Sequence, residues 1–138
     1  MRRRCGLVVL VLAAALVGCA HHDSHRPAQA GGGAVMLNDV SVAHVLDAIN
    51  RAKLPVVNVR DSTSSRCPEA GCVEATDTDT ISILKFPSTG RAELYAAAVP
   101  DMLQVEDLVV VFAPTLTAEQ KTAYGTVVKK AMLTPASP

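Results

Sequence analysis

Tryptophan is absent from the 138 residues, and there are only two phenylalanines and two tyrosines. Such a chain offers no aromatic platform for stacking sugars. The acids Glu69, Glu74, Asp77 and Asp79 therefore read as a solvated loop rather than as a glycosidase pair or a cation site. Charge of one sign is also lacking, with 13 basic and 13 acidic side chains. Without a basic excess there is no footing for nucleic acid. The longest uncharged apolar run, Cys5 to Ala20, covers 16 residues, fewer than the roughly 20 of a membrane-crossing helix. The chain contains no G-x-S-x-G, H-E-x-x-H, Walker A or G-x-G-x-x-G pattern. Of its four histidines only His44 lies beyond residue 25. With Asp47 one turn on, it belongs to the polar face of a helix, and no Ser-His-Asp set is in sight.

What is present begins with Met1-Arg2-Arg3-Arg4, a short cationic segment, followed by the apolar run and then by small residues. This is the order of a secretory signal. Taking Arg2, Arg3 and Arg4 from the 13 basic side chains leaves 10 against 13 acidic ones, so the remainder has a side-chain balance of about −3. Within the run stands Leu16-Val17-Gly18-Cys19. It resembles the lipobox of bacterial lipoprotein precursors. The resemblance implies cleavage before Cys19 and a diacylglyceryl group on its sulfur; no cofactor is expected. Two acyl chains suffice for stable anchoring, since each buried methylene contributes about 0.8 kcal/mol. Cleavage after Gly18-Cys19-Ala20, giving a free secreted protein, and an uncleaved short anchor are the competing outcomes.

Residues 1–18 thus read as the signal peptide and residues 19–35 as a lipidated cysteine with its tether. In the tether, Pro27 and Gly31-Gly32-Gly33 oppose regular structure. Composition gives this spacer an r.m.s. reach of about 20–24 Å. His21, His22 and His25 are weak candidates for a Cu, Ni or Zn site, against the plainer reading of a hydrophilic spacer.

Cys67 and Cys72 remain, in SSRCPEAGCVE. An even pair in an exported protein reads as a disulfide, with Pro68 and Gly71 turning the enclosed loop. A redox-active pair is the alternative, although C-x4-C is not the C-x-x-C of thioredoxin-like enzymes. A metal site is the third reading, but no second pair completes zinc ligation.

Residues 36–133 read as one α/β (α+β) domain, and residues 134–138 as a frayed tail. Ser41 N-caps a helix whose Val42, Val45, Leu46 and Ile49 share a face. A strand over Val56 to Arg60 follows, then the cysteine loop. A strand over 79–86 places Ile81, Ile83 and Lys85 on one side and Ser82, Leu84 and Phe86 on the other. The segment PSTGRAELYAAAVP predicts a helix. LQV predicts an edge strand and Leu108 to Phe112 a buried one. Thr117 to Gln120 is a capping box opening a last helix with Tyr124, Val127, Val128 and Ala131 inward. The order is α-β-β-α-β-β-α. It predicts a two-layer sandwich, a small mixed sheet with helices on one face, and a β-α-β crossover within residues 79–112 if the strands are parallel.

The succession AKLPVVNVRD, CPEAGC, TDTISILKFPSTGRAELYAAA and VEDLVVVFAP resembles small exported proteins and lipoproteins of actinobacteria. That likeness implies an envelope location and no particular chemistry. LNDVSVAHVLDAINRAKLPVVNV is similar, over that short length, to the N-terminal domains of secretins, from which the cysteine loop departs. The expectation is a protein on the outer side of the cell membrane, held there through Cys19. It has no catalytic set and binds an envelope protein or a small ligand. A metal-handling role of the histidines and a thiol–disulfide role of Cys67 and Cys72 are the alternatives.

Overall fold

The structure, a computed structural model, describes residues 38–134. The expected signal, Cys19, the tether with His21, His22 and His25, and residues 135–138 of the tail lie outside them. In chain order the elements are α1 (Val42–Arg51), β1 (Arg60–Asp61), α2 (Thr63–Ala70), β2 (Glu74–Asp77), β3 (Ile81–Lys85), α3 (Thr89–Ala96), β4 (Met102–Val105), β5 (Leu108–Phe112) and α4 (Ala118–Leu133).

The five strands form one sheet in the order β1-β2-β3-β5-β4, and every neighbouring pair is antiparallel. The α+β class stands, but the mixed sheet does not. β3 and β4 do run parallel and α3 joins them, yet β5 is inserted between, giving a split β-α-β unit. The central position belongs to β3, as its two apolar faces require. Ile81 and Ile83 pack towards α1 and α4 with Leu108, Val110 and Phe112. Leu84 and Phe86 point the other way, into a second cluster with Ala75, Ala92, Ala96 and Val109. The helices therefore lie on both faces, not on one. The larger layer, α1 and α4, makes the expected sandwich, and α2 and α3 cover the opposite face.

The helix ends follow local chemistry. Ser41 Oγ accepts from His44 N at 3.1 Å, and Glu74 Oε2 accepts a second free N–H, that of Val42, at 3.1 Å. Thr117 and Gln120 close their capping box in both directions. Ser88 Oγ accepts from Arg91 N at 3.3 Å to start α3.

Three segments differ from their sequence reading. The strand expected from Val56 is reduced to Arg60–Asp61, because Asn58 takes a left-handed φ of 56° and breaks the extended run. Asn58 Nδ2 donates to Asp79 Oδ2 at 2.7 Å, and Val57 O accepts from Asp79 N at 3.0 Å, so the loop is tied to the β2–β3 turn. The cysteine loop is largely the helix α2, with Pro68 inside it and no buried residue. Its sequence has no apolar stripe, and Ser, Thr and Pro are weak helix formers. Lastly, Glu74–Asp77 is a full strand although Glu, Ala and Asp are poor strand residues. It forms because two neighbours pair with it.

The most unusual interior feature is charged. Lys85 ends β3 only 2% exposed, and Asp107 is fully buried. The Lys85 ammonium donates to Asn38 Oδ1 at 2.8 Å, Asn38 O at 3.1 Å and Val40 O, which exhausts its three protons. Asp107 Oδ2 lies 3.6 Å from it. Asn38 Nδ2 donates to Asp107 Oδ1 at 2.7 Å and to Glu106 Oε2 at 2.8 Å. The β4–β5 turn, with Glu106 at φ 54°, brings both acids to this point. The start of the domain is thus bolted to its central strand.

Removing one member of a buried ion pair leaves the other uncompensated. Lys85→Met is expected to lower the unfolding free energy by about 3–5 kcal/mol, and Lys85→Met with Asp107→Leu to recover part of the loss. Urea unfolding of the two variants checks this. A single-variant cost below about 1 kcal/mol, the range of exposed pairs, would contradict the bolt.

Candidate binding groove

α2 packs on β2, and α3 on β4 and β5. Between these two helices lies an open groove of about 620 Å³, within the range of small-ligand sites. From α2 it is lined by Ser65, Arg66, Glu69 and Ala70, which recur at one helical face. From α3 it is lined by Arg91, Leu94 and Tyr95, and from the turn after it by Ala98.

The α2 wall has an unusual construction. Ser62 N donates to Ala75 O at 2.9 Å, and Thr63 Oγ1 accepts from Ala75 N at 3.0 Å, so the chain turns into the helix while still pairing with β2. Asp61 Oδ1 accepts from Thr63 N at 2.8 Å. That bond, with a side-chain contribution from Thr63, holds the Asp61 carboxyl below its ordinary pKa. At the other end Gly71 takes the left-handed φ of 76° that closes the helix, its N–H donating to Cys67 O at 2.8 Å. Cys67 and Cys72 sit at disulfide distance, their sulfurs 1.97 Å apart. Cys72 is at the edge of burial and belongs to the cluster beneath the groove. A covalent link therefore ties a helix with no fully buried residue, only Cys67 and Ala70 resting on the second cluster, to the segment that leads into β2.

Arg66 Nε meets Asp77 Oδ2 at 3.2 Å, which orients the guanidinium and leaves its terminal amino groups without partners among the described residues. Neither Arg91 nor Glu69 has an oppositely charged group within 4.0 Å among those residues. The Tyr95 ring lies 5.2 Å from that of Phe86, tilted by 39°, and its hydroxyl makes no hydrogen bond among the described residues. Leu94 is 70% exposed on the rim.

The acids expected to form a solvated loop have separate tasks. Glu74 caps α1, Asp77 orients Arg66, and Asp79 holds Asn58 while lying 4.0 Å from Arg60. Only Glu69 faces the groove. His44 lies in a different, smaller groove between α1 and α4, beside Arg51 and Lys130. Among the described residues no three His, Cys, Asp or Glu side chains come close enough to hold a metal ion. The groove was missed in the sequence because half of it belongs to α2. On the α3 side the sequence alone puts Tyr95 on a packing stripe with Ala92, Ala96 and Val99, and gives Arg91 and Leu94 no role.

Two expectations follow for the α2 wall. Cys67→Ser with Cys72→Ser should cost roughly 2 kcal/mol, the loop-closure value for so short a span. Hydrogen exchange should accelerate in residues 63–72 while α1 and α4 keep their protection, and uniform acceleration would contradict this. For Asp61, a depressed carboxyl pKa stabilises the fold above the ordinary carboxylate range. That stability is lost as pH falls through the folded value. The stability difference between Asp61→Ala and the parent should therefore shrink on acidification below the usual Asp range, as read by urea unfolding across pH. A difference independent of pH would exclude the carboxylate as its source.

Compared with protein families, curated proteins and solved structures, the chain matches none of them.

Proposed function

We propose that the protein is a lipid-anchored envelope protein, held on the outer side of the cell membrane by diacylglyceryl-Cys19, whose folded domain binds a ligand or partner without turning it over. The observation that carries the anchor is Leu16-Val17-Gly18-Cys19 behind Arg2-Arg3-Arg4 and a short apolar run. The cysteine bridge agrees with an oxidising compartment outside the cytoplasm. Binding is supported by the groove, where an exposed leucine, a tyrosine hydroxyl and two guanidinium groups converge without internal partners for most of their polar atoms. Against turnover stands the employment of the acids in capping, pairing and loop fixation.

The test is an intact mass of the full chain extracted in detergent from its producing envelope. The expected mass begins at Cys19, carries acyl chains and lacks two hydrogens for the Cys67–Cys72 bridge. Cys19→Ala should shift the protein out of the membrane fraction. A mass starting at His21 with no lipid would exclude the anchor, and turnover by the purified protein would exclude the binding role.

A further inference from the structure

We propose that the α2–α3 groove takes the free carboxylate end of a peptide. The inference rests on the binding role above and names its ligand. Three features of the walls point to this chemistry. First, Arg66 is held by its Nε against Asp77 at 3.2 Å, so its terminal amino groups are presented as a fork of matching geometry for a carboxylate. Arg91, on the facing helix, adds a cation with no carboxylate within 4.0 Å among the described residues. An incoming carboxylate would give Arg91 the partner it lacks and engage the Arg66 amino groups that Asp77 leaves free.

Second, part of the lining is apolar. Ala70, Ala98, Tyr95 and the exposed Leu94 offer a surface for a side chain or short hydrocarbon segment next to the charged group. A bare inorganic anion would leave that surface wet. Third, Glu69 stands on the same helix as Arg66, one turn away, and lines the same space. A carboxylate beside two arginines penalises a ligand that is only anionic and apolar, such as a fatty acid. It favours one that carries N–H donors a few ångströms from its own carboxylate. A peptide chain end has that pattern, since its last amide nitrogens lie next to the terminal carboxylate. Ser65 and the free Tyr95 hydroxyl are further partners for amide groups.

The test uses the full mature chain with its native Cys19, in nonionic detergent micelles, and a pool of N-acetylated tetrapeptides varied at the last two residues. Each peptide is offered as free acid and as C-terminal amide, and retention in equilibrium dialysis is read by mass spectrometry. Free acids should be retained and their amides lost. Arg66→Gln and Arg91→Gln should each weaken retention about tenfold, the loss of one charge-assisted hydrogen bond. Arg91 makes no side-chain bond among the described residues, so its variant keeps the fold even if Arg66→Gln does not. Equal retention of acids and amides, no retention of any member, or displacement of the peptides by decanoate at equal concentration would overturn the proposal. Repeating the dialysis with Cys19→Ala separates this reading from the anchor. Binding that persists there supports the groove whatever the fate of the lipid, and binding that vanishes assigns the retention to the lipid and removes the groove.

Discussion

A single ammonium group in the wrong place for ammonium groups organises this domain. Lys85 occupies the end of the central strand, where its alternation with Ile81 and Ile83 drives it into the layer beneath α1. An unpaired charge there would cost several kcal/mol, so its position is tenable only with all three protons satisfied and a carboxylate alongside. Asn38, Val40 and Asp107 meet those demands together. The arrangement fixes three otherwise independent things: the first residues of the domain, the β4–β5 turn, and the register in which β3 meets β5, where Lys85 faces Leu108. An apolar residue at 85 would leave the leading segment free to peel away. The charge confers specificity of placement more than net stability.

With the bolt on one side of the sheet, the other side carries the groove. α1 and α4 fill their face with large side chains, among them Ile49, Tyr124 and Met132. The opposite face is covered by alanines and a bridge: Ala75, Ala92, Ala96 and Cys72 around Phe86. Small residues let helices sit close to a sheet but do not fill the space between the helices themselves. Two short helices, each docked on its own strands, leave a channel between them. The groove is the geometric consequence of spending the bulky side chains on one face.

How much of this was legible follows the same division. Elements that bury a regular apolar stripe could be read from the sequence: α1 from Val42, Val45 and Ile49, β3 from its two-faced alternation, β5 from its β-branched run, and α4 from the box at Thr117 and Gln120. Elements held by partners distant in sequence could not. β2 is a strand because β1 and β3 flank it, and α2 is a helix because Thr63 bonds Ala75 and Cys67 reaches Cys72. The valines at 56, 57 and 59 misled in the opposite direction. Their β propensity is real, but Asn58 in the left-handed region and its bond to Asp79 turn the run into a loop, with Val57 and Val59 half exposed. The disulfide was visible as a spacing, whereas its role as the fastening of a helix was not.

That fastening bears on the binding role proposed for the groove. A wall helix of eight residues with no buried side chain has little reason to persist alone, since short helices in water are marginal. If α2 had to order itself around each ligand, the entropy of fixing those residues would be subtracted from every binding event. The bridge and the Thr63–Ala75 pairing meet that cost during folding instead. Asp77 does the same for the Arg66 side chain, one of the most flexible kinds. The weakest element of the fold is therefore the one most heavily secured, by a covalent bond at one end, strand-like hydrogen bonds at the other and an ion pair between. Securing of that kind adds little to a core that this helix touches only through Cys67 and Ala70. Its effect is to hold Arg66 and Glu69 at a set separation from Arg91 and Tyr95, which is what a preorganised contact with a small polar ligand requires.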